Sequence, residues 1–176
     1  IRIAANGNVG IGTSTRHAPL QLAATLTNRK LVLYEAFDND HQFNGFGINP
    51  ATLRYQVDGT GNSHVFYAGT SSTTSNELMR IQGNGNVGIG NSTPHAPLQF
   101  SNGLVSRKIV IYEAGNNDHQ YQGFGTNAGT FRYQLENTTS SHVFFAGTST
   151  TTSNELMRIQ GNGNVGIGLS TANNKL

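Results

Sequence analysis

Asn6-Gly7-Asn8-Val9-Gly10-Ile11-Gly12 recurs letter for letter at residues 84–90 and 162–168, so the chain carries a strict period of 78 residues. Each copy follows a short apolar-alternating lead: Ile1-Arg2-Ile3, Met79-Arg80-Ile81 and Met157-Arg158-Ile159. The pattern reads as a strand, an Asn/Gly turn and a second short strand. Asn and Gly both tolerate the positive φ of tight hairpin turns. Val9 and Ile11, two apart, face one side of a strand. Gly10 and Gly12 remove side chains where another backbone packs closely. The hairpin is the expected joint that closes one unit and opens the next.

Outward from the joint, residues 1–12 match the end of a unit, 13–90 and 91–168 are two full units, and 169–176 open a further one. The chain thus begins and ends in mid-repeat. Either it is a window of a longer array, or its ends complete each other between neighbouring molecules. Aligned without gaps, the two units share 53 of 78 positions. Many of the remaining 25 keep apolar character: Leu31/Ile109, Leu33/Ile111, Phe43/Tyr121, Leu53/Phe131, Val57/Leu135 and Tyr67/Phe145. Cores tolerate such swaps, so these are the expected core. Phe37/Gly115, Ile48/Thr126, Gly59/Asn137 and Ala24/Asn102 change character and are assigned to loops or exposed surface.

Within a unit the apolar period is two, which predicts strands near residues 30–36, 41–48, 53–57, 64–68, 77–81 and 86–89. The turns between them are rich in Asn, Asp, Gly and Thr. His17-Ala18-Pro19-Leu20 and its copy at residues 95–98 read as extended, polyproline-like entry segments. No stretch shows a helical apolar stripe. The fold class is all-β: two tandem 78-residue repeats, small sandwich-like or interlocked-sheet units, forming a fibre-like array.

Composition bounds the function. Only 35% of the chain is hydrophobic and 11% charged, with 22 glycines, which implies thin cores and many turns rather than charge-driven disorder. A unit this small hides roughly 60% of its unfolded surface, so each is expected to be stable mainly in company. The 11 Lys and Arg never cluster, which argues against a nucleic-acid partner. No run is long enough for a membrane span, and membrane insertion is not expected. Without cysteine there is neither a disulfide framework nor a thiolate metal site.

Leu78-Met79-Arg80-Ile81, then Gly85-Asn86-Val87-Gly88-Ile89-Gly90, Ser92-Thr93-Pro94 and Leu98 resemble the repeats of phage-type tail fibres. Such repeats occur in long bacterial and viral fibre proteins, often upstream of an intramolecular-chaperone tail. The resemblance implies an extracellular or virion-surface fibre, a homo-oligomer, with adhesion a frequent task. It lies in the hairpin and the segment after it; residues 30–75 are not part of it.

Asp40-His41 and Asp118-His119, with Glu35/Glu113 and Arg54/Arg132, form the polar set closest to a catalytic or metal site. Their spacing matches no metal site, and a structural role in turns and ion pairs is the better reading. Asp38-Asn39-Asp40 faintly resembles a calcium loop, but Asn116 replaces Asp38 in the second unit. No serine sits in a strand–turn–helix elbow. Neither an enzyme nor a cofactor is expected. The leading expectation is self-assembly, with Val9, Ile11, Val87, Ile89, Leu98, Val165, Ile167 and Leu176 burying against the adjoining unit or chain. On this reading Ile89→Asp harms assembly more than a change at Ile48. The alternative is a glycan-recognising fibre segment, with Phe37, Phe43, Tyr55 and Tyr67 as candidate contacts, because rings cover sugar C–H patches. Asn91 and Asn137 head N-glycosylation acceptor sequences, and the Ser/Thr runs at 70–75 and 148–153 could carry O-linked sugar.

Overall fold

The computed structural model describes residues 1–174, and among these the ordered backbone is all strand and turn. Two compact units divide it: Ile1–Ser101, and the remainder from Asn102 onward. The first unit holds β1 (Arg2–Ile3), β2 (Val9–Ile11), β3 (Leu20–Leu22), β4 (Thr27–Glu35), β5 (Phe43–Asn49), β6 (Thr52–Gln56), β7 (Ser63–Gly69), β8 (Ser75–Gln82), β9 (Val87–Ile89) and β10 (Leu98–Phe100). The second holds β11 (Ile109–Glu113), β12 (Tyr121–Asn127), β13 (Thr130–Gln134), β14 (Ser141–Gly147), β15 (Ser153–Gln160) and β16 (Val165–Ile167). They form five small open sheets, ordered β1-β2-β3, β4-β5-β6, β10-β9-β8-β7, β11-β12-β13 and β14-β15-β16.

The hairpin works differently from a simple Asn-Gly reversal. Gly85 N–H bonds the Gln82 carbonyl at 2.9 Å, and Gln82 N–H bonds the Asn86 carbonyl at 2.8 Å. This is a three-residue loop whose last member, Gly85, sits at φ 96°. Asn84 does not take a positive φ. Its Oδ1 accepts from Asn86 N–H at 3.0 Å, so the side chain closes the turn instead. The same bond recurs from Asn8 to Asn6 and from Asn164 to Asn162.

After the hairpin the chain makes the only two parallel pairings among the described residues. β2 runs beside β3, with Val9 opposite Leu20, and β9 beside β10, with Val87 opposite Leu98 and Ile89 opposite Phe100. The segments expected as polyproline-like entries therefore end in sheet. Gly88 permits the tight return: a methyl there would lie 2.1 Å from the Asn91 carbonyl oxygen. Asn86 Nδ2 donates to the Pro94 carbonyl at 3.0 Å and fixes the loop between the two strands.

The β4–β5–β6 sheet has two unlike faces. On β5, Phe43, Gly45 and Gly47 point one way, and all three are buried. β4 breaks register between Thr27 and Leu31, and the intervening backbone crosses over these glycines. A methyl on Gly47 would lie 1.6 Å from the Asn28 carbonyl oxygen, and one on Gly45 2.1 Å from that of Leu31. Arg29 pins the crossing by reaching Glu35 at 2.7 Å and Asp38 and Asp40 at 2.9 Å each. β11–β12–β13 repeats the arrangement, with Gly123 and Gly125 under Ile109 and Ser106, and Arg107 on Glu113, Asp118 and Asn116.

Candidate functional site

Very little of the apolar side chain inventory is inside. Phe43 and Tyr121 are the only large side chains fully enclosed among the described residues. Of the like-for-like exchanges expected to form the core, only Phe43/Tyr121 does so. Leu31/Ile109, Leu33/Ile111, Leu53/Phe131 and Tyr67/Phe145 leave between 41% (Ile109) and 78% (Leu53) of their surface exposed, and Val57/Leu135 are half-buried. The reason is the glycine face: interior space is filled by backbone lying on Gly45 and Gly47, and bulky side chains are forced outward.

They gather in order. Register places Leu31 beside Phe46 and Phe46 beside Tyr55, while Ile48 lies opposite Leu53, all on the open face. Phe46 and Tyr55 stack at 4.9 Å, and Tyr55 packs tilted against His64 at 4.2 Å. The second unit repeats the row as Phe124, Tyr133 and His142, at 5.0 Å and 3.9 Å, and adds Phe131 at 6.0 Å from Phe124. Between β3 and this face of the first unit lies an apolar groove of about 410 Å³, lined by Leu20, Leu22, Leu31, Phe46, Ile48 and Leu53. Ile48, expected from sequence in the 41–48 strand and at a loop or exposed-surface position, lies exposed on the apolar face of β5.

The expected joint residues fall on β2, β9, β10 and β16, with Leu176 outside the described residues. Val9, Val87 and Val165 are half-buried, whereas Ile11, Ile89, Leu98 and Ile167 remain exposed. Ile89 and Ile48 expose 41% and 40%, so exposure does not separate the joint from the sheet face.

The expected glycan contacts part company. Phe43 is sealed within the unit and has no ring face for a ligand, so it leaves that set. Tyr55 is engaged by two other rings. Phe37 and Tyr67 are exposed, the first in the turn after β4 and the second on β7. Among the acceptor asparagines, Asn91 Nδ2 is buried without a partner, out of reach in the folded chain. Asn137 is exposed, its Oδ1 accepting from the backbone and hydroxyl of Thr139.

The polar set is also regrouped. Arg29 and Arg107, unremarked in the sequence, gather the carboxylates, while Arg54 bonds Gln56 at 2.6 Å and Asn49 at 3.4 Å, and Arg132 bonds Gln134. Asp38 and Asp40 are committed to Arg29 rather than arranged as a cation loop. Beyond the sheet face, Arg80 grips Glu77 through two bonds of 2.6 and 2.7 Å, and Arg158 grips Glu155 identically. These bonds hold both glutamates below the usual carboxylate range.

Compared with protein-family models, with curated proteins and with solved structures, the chain matches none of them.

Proposed function

We propose that the chain is a structural subunit that assembles with copies of itself into an extracellular or virion-surface filament or fibre. The observation that carries this reading is surface area. The chain exposes 12014 Å² at 18.8 kDa. A folded monomer of that mass exposes about 8,300 Å², and even two separate bodies of half the mass expose together about 10,000 Å². The excess of about 2,000 Å² is more than the roughly 800 Å² that each partner contributes to a stable interface. Much of what is exposed is large hydrophobic side chain, Leu53, Phe131, Ile111 and Leu33 among them, and clustered exposed hydrophobics mark an interaction surface.

A second copy of the chain is the favoured occupant because the same row recurs in each unit: Leu31, Phe46, Tyr55 and Leu53, then Ile109, Phe124, Tyr133 and Phe131. Like surfaces displayed at a fixed sequence interval pair most simply with like surfaces. The β2/β3 and β9/β10 clasps pair the end of one 78-residue repeat with the start of the next in a shared sheet. Ile11, Ile89 and Leu98 on these clasps are themselves exposed.

Light scattering across a dilution series, with electron microscopy of the same material, tests the reading. The expected result is an oligomer or filament persisting to low micromolar concentration. A chain that stays monomeric and folded at high micromolar concentration overturns it.

A further inference from the structure

Each unit carries one strand segment that is apolar at successive positions and open on both faces. Leu31-Val32-Leu33-Tyr34-Glu35 ends β4, and Ile109-Val110-Ile111-Tyr112-Glu113 is β11. Every residue of both runs is exposed, the apolar ones by between 38% (Val32) and 71% (Ile111). Successive strand side chains point to opposite faces. Exposure at every position therefore means that no layer of side chains closes over either face here.

The backbone is open as well. β4 and β11 are outer strands of their sheets, and among the described residues β5 and β12 are their only strand partners. The outer edge of each carries a row of N–H and C=O groups with no strand to receive them. The opposite edge, β6 or β13, separates its apolar residues with Arg54 and Gln56 or with Arg132 and Gln134. Charge of that kind is how natural sheet edges discourage pairing. Between Leu31 and Tyr34, and between Ile109 and Tyr112, there is none.

The shape of this edge selects its partner. Register passes from Val32 opposite Gly45 to Tyr34 opposite Asn44, so Leu33 is the extra residue of a β-bulge. Ile111 is the same between Val110 and Tyr112. A bulge bends and twists its strand, and a flat foreign strand does not follow that path. A second copy carries the same bend at the same residue, with apolar side chains at each matching position. Charge then sets the direction. In a parallel, in-register pair Glu35 would lie beside Glu35 of the other copy, a destabilising contact of like charges. Antiparallel about Leu33, Glu35 lies opposite Leu31, and the two carboxylates are roughly 14 Å apart along the strands.

We propose, resting on the self-assembly reading above, that residues 31–35 and 109–113 are the strands through which copies of the chain join. Each pairs antiparallel with such an edge on a second copy, about Leu33 or Ile111. The dyad of an antiparallel pair stands perpendicular to the sheet, so the sheet continues into that of the second copy with both apolar faces on one side. Leu31, which register places beside Phe46, carries the apolar row across the junction. Two such edges give each copy two partners, which an open filament needs.

Hydrogen exchange read by mass spectrometry tests the pairing, on the whole chain above and below the concentration at which light scattering reports assembly. Amides of residues 31–35 and 109–113 should slow by about tenfold or more on assembly, and those of the far edges, 52–56 and 130–134, should slow less. The variant Leu33→Lys with Ile111→Lys sets lysines side by side at the centre of each pair. It should weaken association by about tenfold while keeping the circular dichroism of the parent. An assembled parent whose 31–35 and 109–113 amides exchange as in the dilute chain overturns the edge pairing and leaves self-assembly standing. So does equal or greater slowing at the far edges, or a folded lysine variant that assembles as the parent does. A chain that never assembles overturns both readings. If the lysine variant fails to fold, the parent's exchange rates decide alone.

Discussion

The two faces of the β4–β5–β6 sheet solve the same problem in opposite ways. One face is sealed within its own unit: Gly45 and Gly47 let the β4 backbone lie directly on β5, and Arg29 ties the crossing to Glu35, Asp38 and Asp40. The other face carries Leu31, Phe46, Ile48, Leu53 and Tyr55, all exposed. A core made by backbone against glycine buries little hydrocarbon, so it contributes geometry more than hydrophobic free energy. The hydrocarbon that would ordinarily stabilise a fold of this size is displayed outside it. The inner face defines the unit, and the outer one is where a partner would add stability.

The largest break in that contrast is predicted at the sealed face. Gly47→Ala or Gly125→Ala places a methyl 1.6 Å from a backbone oxygen that no side-chain rotation can relieve. The expected cost is about 3 kcal/mol or more, read as loss of the cooperative melt. A melting temperature within a degree or two of the parent would mean that the crossing is not needed.

On the open face the expected effect moves from folding to association. Leu53→Asp combined with Phe131→Asp, at positions 78% and 72% exposed, should leave the strand signature in circular dichroism intact. Association should weaken by about thirtyfold or more if these side chains are central to an interface. Ile48→Asp and Ile89→Asp sharpen the point. Their exposures are almost equal, so a larger loss from Ile89→Asp would locate the dominant contact at the β9/β10 clasp. A larger loss from Ile48→Asp would locate it on the sheet.

How much of this could be read from the chain alone follows the same division. Period-two alternation predicted β5 to β9 within a few residues, because alternation reports pleating whichever face is covered. It could not report what covers them. Leu53/Phe131 and Leu31/Ile109 keep their apolar type, as core residues do, yet they are exposed. The sequence signal for an interior and for an outward apolar row is identical. The readable hint was glycine at every second position of Phe43-Asn44-Gly45-Phe46-Gly47, which marks a strand that another backbone crosses. Arg29 was missed because its carboxylate partners follow 6 to 11 residues later, joined by a register break rather than by a fixed spacing. The polar cleft between the loop after β6 and the β8–β9 hairpin is assembled from residues 41 to 85, and no local motif could have announced it.

A smaller effect compares how the two units close the sealed face. Tyr121 replaces Phe43, and its hydroxyl donates to the Ser106 carbonyl. Residue 106 is the counterpart of Asn28, whose longer side chain instead accepts from Asn49 at 2.8 Å and donates to the Asp40 carbonyl at 3.2 Å. Tyr121→Phe should cost about 1 kcal/mol, the net worth of one buried hydrogen bond. Phe43→Tyr tests the converse, because the Asn28 carbonyl lies over Gly47 as the Ser106 carbonyl lies over Gly125, and a loss of stability is expected where the added hydroxyl does not find it. Denaturant midpoints at constant slope measure both. A neutral Phe43→Tyr would show that the two closures are interchangeable.

The smallest effect belongs to pH. Glu77 and Glu155 are held below the ordinary glutamate value chiefly by hydrogen bonds from Arg80 and Arg158. A carboxylate whose folded pKa is depressed stabilises the fold above its unfolded value, about 4.3, and that stabilisation is lost as pH falls through the folded value. Acidification from pH 5 toward pH 3 should therefore lower the melting temperature, and Glu77→Gln with Glu155→Gln should flatten part of that slope. Both pairs are partly solvated, so the contribution is modest. They also sit on β8 and β15, away from the glycine face. Their loss should soften the β7–β8 and β14–β15 sheets without changing the crossing that Arg29 and Arg107 hold. If parent and double variant instead share one acid slope, the Arg80–Glu77 and Arg158–Glu155 pairs do not carry the acid sensitivity.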